Sequence, residues 1–193
     1  MIIGSLNIRG GGNALKRRRI SSLVIKSKDD IFFIQETKLT SMHDFMAKSF
    51  WNAKDIGFSF SNSTGRSGGL LTLWNGDAVD VLLSFKGEGY LGVKVCKNNN
   101  FFYLINVYSS CKLVKKRMLW RKLLELKDVF NDGEWIIGGD FNTIKVREER
   151  KGRGAISNIY EVIEFAEFIE KSLLVDVPCK GKNLLGIAVM VNR

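Results

Sequence analysis

Glu134-Trp135-Ile136-Ile137-Gly138-Gly139-Asp140-Phe141-Asn142 is the stretch on which the reading of the whole chain turns. Trp135, Ile136 and Ile137 form an apolar run of strand type, and the glycines are read as the break that ends it. A buried strand ending this way delivers a carboxylate and, two residues on, a carboxamide to one rim of a sheet. Residues i and i+2 share a face while the chain stays extended. An acid beside an amide suits a site that holds a water or a metal with one group and a phosphate oxygen with the other. Taken alone, Gly-Asp-Phe-Asn reads as a turn, because Gly, Asp and Asn are all turn formers.

Other strand exits in the chain repeat the pattern. A first strand, Ile2 to Ile8, carries Asn7 near its end. Arg9-Gly10-Gly11-Gly12 is a loop, and Asn13 caps a helix from about Ala14 to Lys26 with Leu15, Ile20, Leu23 and Val24 inward. Lys16-Arg17-Arg18-Arg19 reads as a solvated helix face before it reads as an import signal or a phosphate patch. Ile31-Phe32-Phe33-Ile34 is a strand buried on both faces that runs out at Gln35-Glu36-Thr37-Lys38. A carboxylate at that exit is either an exposed strand end or a ligand for a hard divalent cation. After a short helix around Ser41 to Ser49, the pattern predicts antiparallel strands at Ile56–Phe60, Gly69–Trp74, Ala78–Phe85, Tyr90–Cys96 and Phe101–Val107. Tyr108 stands where the last of these ends. Leu113 to Val129 is a helix with Met118, Leu119, Leu123, Leu126 and Val129 as its stripe and Lys115, Lys116, Arg121 and Lys122 mostly outside. A final helix runs from about Ile159 to Lys171, with Val162, Ile163, Phe165, Ala166 and Ile169 inward, and Leu173 to Val177 is a short strand or turn.

The 193 residues form one folded unit on this reading, with no repeat, no linker and apolar content of 45%, enough for a sizeable core. Thirty Lys and Arg against 20 Asp and Glu give a net charge of +10, which favours a polyanionic partner, nucleic acid before an anionic membrane surface. Cys96, Cys111 and Cys179 are odd in number and widely spaced, so neither a disulfide framework nor a zinc site is expected. With no signal peptide and no apolar run long enough to span a bilayer, the expected location is the nucleus or cytoplasm, with no membrane partner.

Four motifs in order, Leu6-Asn7-Ile8-Arg9-Gly10, Ile34-Gln35-Glu36-Thr37-Lys38, Asn106-Val107-Tyr108 and Gly138-Gly139-Asp140-Phe141-Asn142, resemble the endonuclease/exonuclease/phosphatase superfamily. The likeness is greatest to the endonuclease domains of non-LTR (LINE-type) retrotransposons, plant ones especially. Ser67-Gly68-Gly69-Leu70-Leu71, the helix containing Trp120 and Glu149-Arg150-Lys151-Gly152 also look like that group. The resemblance implies an α+β fold, a two-sheet β-sandwich flanked by helices in four layers (α/β/β/α). It also implies magnesium-dependent hydrolysis of a phosphodiester in DNA, with manganese as a substitute. By the same resemblance Glu36 is the principal metal ligand, assisted by Asn7. Asp140 orients or activates the attacking water, and Asn142 holds it or a phosphate oxygen. Tyr108 hydrogen-bonds the scissile phosphate, and Arg150 touches the DNA backbone.

The family pattern continues beyond Gly181-Lys182 with a Phe-Thr-Trp strand, an Arg-x-Asp segment and a Ser-Asp-His motif, none of which is in this sequence. Residues 1–182 are therefore expected to be an incomplete domain lacking its last strands, and residues 183–193 a divergent tail that does not replace them. His43, the one histidine, lies in the order His-Asp on an expected surface helix and does not substitute. The expectation is a recognisable fold with a crippled site. Beside it stand a non-catalytic, basic nucleic-acid-binding remnant and a phosphoesterase acting on lipid or small-molecule phosphates.

Overall fold

Ile3–Asn7 (β1) and Ile31–Gln35 (β2) pair in parallel, and the helix Ala14–Ser27 (α1) makes the crossover that a parallel pair requires. The Asn13 side chain accepts the Lys16 N–H at 3.1 Å, and Lys28 closes the helix in the left-handed conformation. Asp44–Phe50 (α2) follows, with His43 as its N-cap. Ile56–Thr64 (β3) and Ser67–Asn75 (β4) then add antiparallel to β2, giving the order β1-β2-β4-β3.

Among the described residues the second sheet has six strands. Asp80–Gly87 (β5), Tyr90–Lys97 (β6) and Asn100–Tyr108 (β7) form an antiparallel meander. Leu113–Val129 (α3) then crosses over to Glu134–Asp140 (β8), which lies parallel to β7. Ile159–Lys171 (α4) and Leu174–Asp176 (β9) follow, and Ile187–Asn192 (β10) lies between β8 and β9, antiparallel to both. The computed structural model describes residues 1–64, 67–143, 159–177 and 187–192, the last segment through its backbone.

Strand periodicity sorts the apolar residues into three layers of core. Phe32 and Ile34 face α1 and α2, where Ile20, Val24, Ala47 and Phe50 meet them. Ile31 and Phe33 point the other way and pack between the sheets against Val93, Val95 and Leu104. Tyr103, Ile105 and Val107 face outward again, under Leu119, Trp120 and Leu123 of α3 and Phe165 and Phe168 of α4. The result is the expected sandwich with helices outside both sheets.

Several details differ from the sequence reading. Strand β8 runs through Gly138 and Gly139 to Asp140 instead of breaking at them. Gly139 has φ +137°, and a Cβ there would lie 2.1 Å from the Val107 carbonyl oxygen, so glycine allows β7 and β8 to stay paired to the end. On α1 the inward stripe is Ile20, Ser21 and Val24, whereas Leu15 and Leu23 are exposed, being off the 3.6-residue register of that face. On α3 Met118 and Val129 are exposed, and Lys116, read as an outer residue, is 1% exposed. On α4 Phe168 replaces Ala166 and Ile163 in the inner face. Ile187–Asn192, expected to be outside the fold, supplies the strand that satisfies the β8 edge.

Candidate active site

The two parallel pairs explain why chemistry-bearing residues gather. In a parallel pair both strands end at the same side, so β1 and β2 bring Asn7 level with Gln35, beside Glu36, while β7 and β8 bring Tyr108 level with Asp140. Stacking the sheets puts both sets of exits at one end of the sandwich. Asn7 Nδ2 donates to Asp140 Oδ2 at 2.7 Å, closing the site from one sheet to the other.

Local geometry shapes the rim. Arg9, Glu36, Lys38 and Asn142 all have φ between 48° and 56°, a left-handed conformation that is uncommon for residues with a Cβ. Backbone bonds hold these turns: Gly10 N–H to the Glu36 carbonyl at 2.7 Å and Gly11 N–H to the Thr37 carbonyl at 2.6 Å. Across the loop, Thr37 and Lys38 N–H donate to the carbonyls of Gly69 and Gly68, both at 3.1 Å. A Cβ on Gly69 would lie 2.3 Å from Thr37 Oγ1, so the Gly68-Gly69 pair lets β4 cradle the Glu36 loop. The Arg9–Gly12 loop is pinned from α1: Lys16 Nζ donates to the Ile8 and Gly10 carbonyls at 2.9 and 3.1 Å. Arg17 donates to those of Gly11 and Gly12 at 2.8 and 2.7 Å. Half of the basic run is thus structural, and only Arg18 and Arg19 are exposed.

Asp140 is 8% exposed. Burial, above all, raises its affinity for a proton, and the nearby Glu36 carboxylate adds to this. The Asn142 N–H at 2.9 Å, the Asn7 amide and the Arg9 charge pull the other way. Tyr108 is pushed up to about 12, first by burial and then by Glu36 and Asp140, so its phenol is a neutral donor. The Glu36 carboxylate is paired to Lys38 Nζ at 3.0 Å.

Asn142 is fixed from two sides. Its Nδ2 donates to the Ser109 carbonyl at 2.6 Å, leaving Oδ1 and one N–H for a water or a phosphate oxygen. Its own carbonyl accepts from Lys116 Nζ, which also pairs with Glu161 of α4. Sequence reasoning missed Lys116. The available signal was its place in the apolar row Lys116-Leu119-Trp120-Leu123, which carries the helix's buried face.

Asn7, Glu36, Tyr108, Asp140 and Asn142 therefore stand at one end of the sandwich, while Arg150 lies outside the described residues. Among the described residues no group of three or more His, Cys, Asp and Glu comes together as a metal cluster. The donor set at the site is two carboxylates and the carboxamide oxygens of Asn7 and Asn142, all hard oxygen ligands. Such a set fits a divalent cation that keeps several waters. Asp140 and Tyr108 have raised proton affinities chiefly from burial, with the Glu36 charge adding to both, and a bound cation would relieve that second contribution. His43 is exposed and accepts the Met46 N–H through Nδ1 at 3.3 Å, a capping role. Cys96 and Cys111 are free thiols. Among the described residues, no helix is long and apolar enough to cross a membrane.

Known structures share this architecture. An AP endonuclease from Leishmania major superposes with a TM-score of 0.71 at 15% identity, over 98% of this chain and 78% of that one. The endonuclease domain of TRAS1, a telomere-specific non-LTR retrotransposon, gives 0.69 at 12% identity, over 97% and 82%. An AP endonuclease from Archaeoglobus fulgidus gives 0.72 at 15% identity, over 100% and 87%. At these identities the likeness speaks for the fold. A sequence search of curated proteins finds no match. The model of the Endonuclease/Exonuclease/phosphatase family matches residues 4–172, the span that contains every residue of the site just described, and the chain belongs to that family.

Proposed function

We propose that this chain is a divalent-metal-dependent phosphodiester hydrolase of the retrotransposon endonuclease type that nicks DNA. The observation that carries the reading is the Asn7–Asp140 hydrogen bond, which joins the exits of two parallel strand pairs into one acidic, partly desolvated site. Glu36, with Asn7, would hold magnesium or manganese. When bound, the cation supplies charge stabilisation at phosphoryl oxygens and a more acidic water. Asp140 takes the proton of an attacking water, a role supported by its raised proton affinity, which makes it a better base than an exposed carboxylate. Tyr108 donates its phenolic hydrogen to a phosphate oxygen, and Asn142 orients the water or a second oxygen. Arg150 is proposed to contact the DNA backbone.

The rate is proposed to be low. His43 caps α2 and is the only histidine of these 193 residues, so these residues offer no imidazole donor to the developing charge. A single donor of this kind is worth about 100–1,000-fold in rate. The net charge of +10 also supports a second reading, a non-catalytic DNA-binding remnant. Supercoiled-plasmid nicking with magnesium, with EDTA and with Asp140→Ala separates the two. Nicking that needs metal and disappears in the variant is the expected outcome. A folded monomer that binds DNA equally in EDTA and after Glu36→Gln, and never nicks, would establish the second.

A further inference from the structure

The site is divided between the sheets, Asn7 and Glu36 on one and Tyr108, Asp140 and Asn142 on the other, so it exists only in one relative register of the two. The core between the sheets is apolar side chains such as Ile31, Phe33, Val93 and Leu104. Their attraction is non-directional and tolerates small slides. Two carboxamides interrupt that layer at the site end. Along β2 the inward stripe reads Ile31, Phe33, Gln35, and along β7 it reads Phe102, Leu104, Asn106. Gln35 and Asn106 are both 0% exposed.

These two side chains meet from opposite sheets. Gln35 Nε2 donates to Asn106 Oδ1 at 2.7 Å and to Ser5 Oγ at 3.1 Å. Asn106 Nδ2 reaches into the other sheet, donating to the carbonyls of Leu71 at 3.1 Å and Ile34 at 3.3 Å. Gln35 Oε1 is buried with no partner among the described residues, so the amide is not arranged for its own best solvation. Its orientation is dictated by Asn106 Oδ1, which only an N–H can face. Gln35 is bonded covalently to Glu36, and Asn106 is two residues from Tyr108 on the same face.

We propose that Gln35 and Asn106 are positioning residues, a directional pin that sets the sliding register of the two sheets and so aligns the two halves of the active site. This rests on the phosphodiesterase reading for its rate consequence, though not for its structural one. Replacing both partners by apolar groups of similar shape removes the Gln35–Asn106 pair as a unit; what it leaves behind is the buried Thr72 hydroxyl, which Asn106 Nδ2 meets at 3.4 Å, and the Ser5 hydroxyl. Gln35→Met with Asn106→Leu therefore removes direction while keeping burial. The expected result is a folded protein that melts somewhat below the parent, with kcat for plasmid nicking down by about 10- to 100-fold. KM should change by less than about twofold, since binding groups are retained. The side-chain amide resonance of Asn7, followed by NMR, should move toward its position in Asp140→Ala as the bond between them is lost. The swapped pair Gln35→Asn with Asn106→Gln, of equal total length, should recover much of kcat and of that resonance. Parental kcat and an unmoved Asn7 resonance in the apolar variant would overturn the pin. If the parent itself never nicks, the phosphodiesterase reading fails, and the Asn7 resonance alone decides the present proposal. Should the apolar pair not fold, Gln35→Met, which leaves Asn106 both carbonyl acceptors, carries the same readouts, and an unmoved resonance there counts against the pin.

Discussion

Gly139 shows how much one residue decides here. Its backbone sits at φ +137°, and any Cβ would press on the Val107 carbonyl. Gly139→Ala combines a strained backbone with overpacking, so a loss of about 2–4 kcal/mol is expected, read by urea denaturation with an unchanged m value. Because Asp140 follows directly, nicking should fall by more than the loss of folded protein. Lys116 makes the opposite point. A 1%-exposed lysine is tolerated because Glu161 and the Asn142 carbonyl receive two of its three donors. Lys116→Met strands both, and should cost about 3 kcal/mol by thermal or denaturant melting. At Glu36 the expected loss is of metal, not fold: Glu36→Ala should abolish magnesium or manganese binding by calorimetry while the melting curve stays near that of the parent.

At the scale of elements, α3 is the one on which the second sheet depends. Trp120 is buried and stacks on Phe168 with centroids 6.1 Å apart, while Phe165 tilts against it at 5.5 Å. Trp120→Ala should therefore cost about 3–5 kcal/mol and loosen α4 with it. Helix α1 holds the opposite rim. Two cations in its first turns face an unfavourable dipole, and their bonds to the Arg9–Gly12 loop offset this. The helix amphipathicity legible in the sequence located α1, α3 and α4 to within a residue or two. Their inward faces were less legible, since Leu15, Met118 and Ile163 are apolar and exposed while Lys116 is charged and buried.

The whole molecule carries a charge of +10, so any DNA affinity should fall linearly in log–log form with salt, as counterions are released. Filter binding in EDTA across a salt series measures it, and a flat response would dissociate the charge from DNA binding. A second global property follows from Asp29, whose carboxyl is raised mainly by burial. A raised folded-state value means the folded protein holds this proton more tightly than the unfolded chain. Its contribution is present below the ordinary carboxyl range and lost as pH climbs through the shifted value. Asp29→Asn, which keeps an acceptor for Ser27, should therefore melt higher than the parent at pH 7, with the difference shrinking toward pH 3. A larger difference at pH 3 would contradict that sign.

The order of elements from β1 to β9, the four strand-exit motifs and their residue types were present in the linear sequence, because period-two and period-3.6 patterns are local consequences of backbone geometry. Asn7, Glu36, Tyr108, Asp140 and Asn142 could be named from it. Their convergence could not be derived from local pattern, since it depends on β1–β2 and β7–β8 being parallel and on the two sheets meeting in one register. The same holds for Lys116, whose charge is buried only because two helices and the Asn142 turn supply acceptors, and for Ile187–Asn192, a strand only because β8 offers an edge. Local pattern put polar residues at the strand exits and the family resemblance made them candidates; long-range pairing decided that they stand together, because a hydrogen bond such as Asn7 to Asp140 joins residues that no sequence window contains.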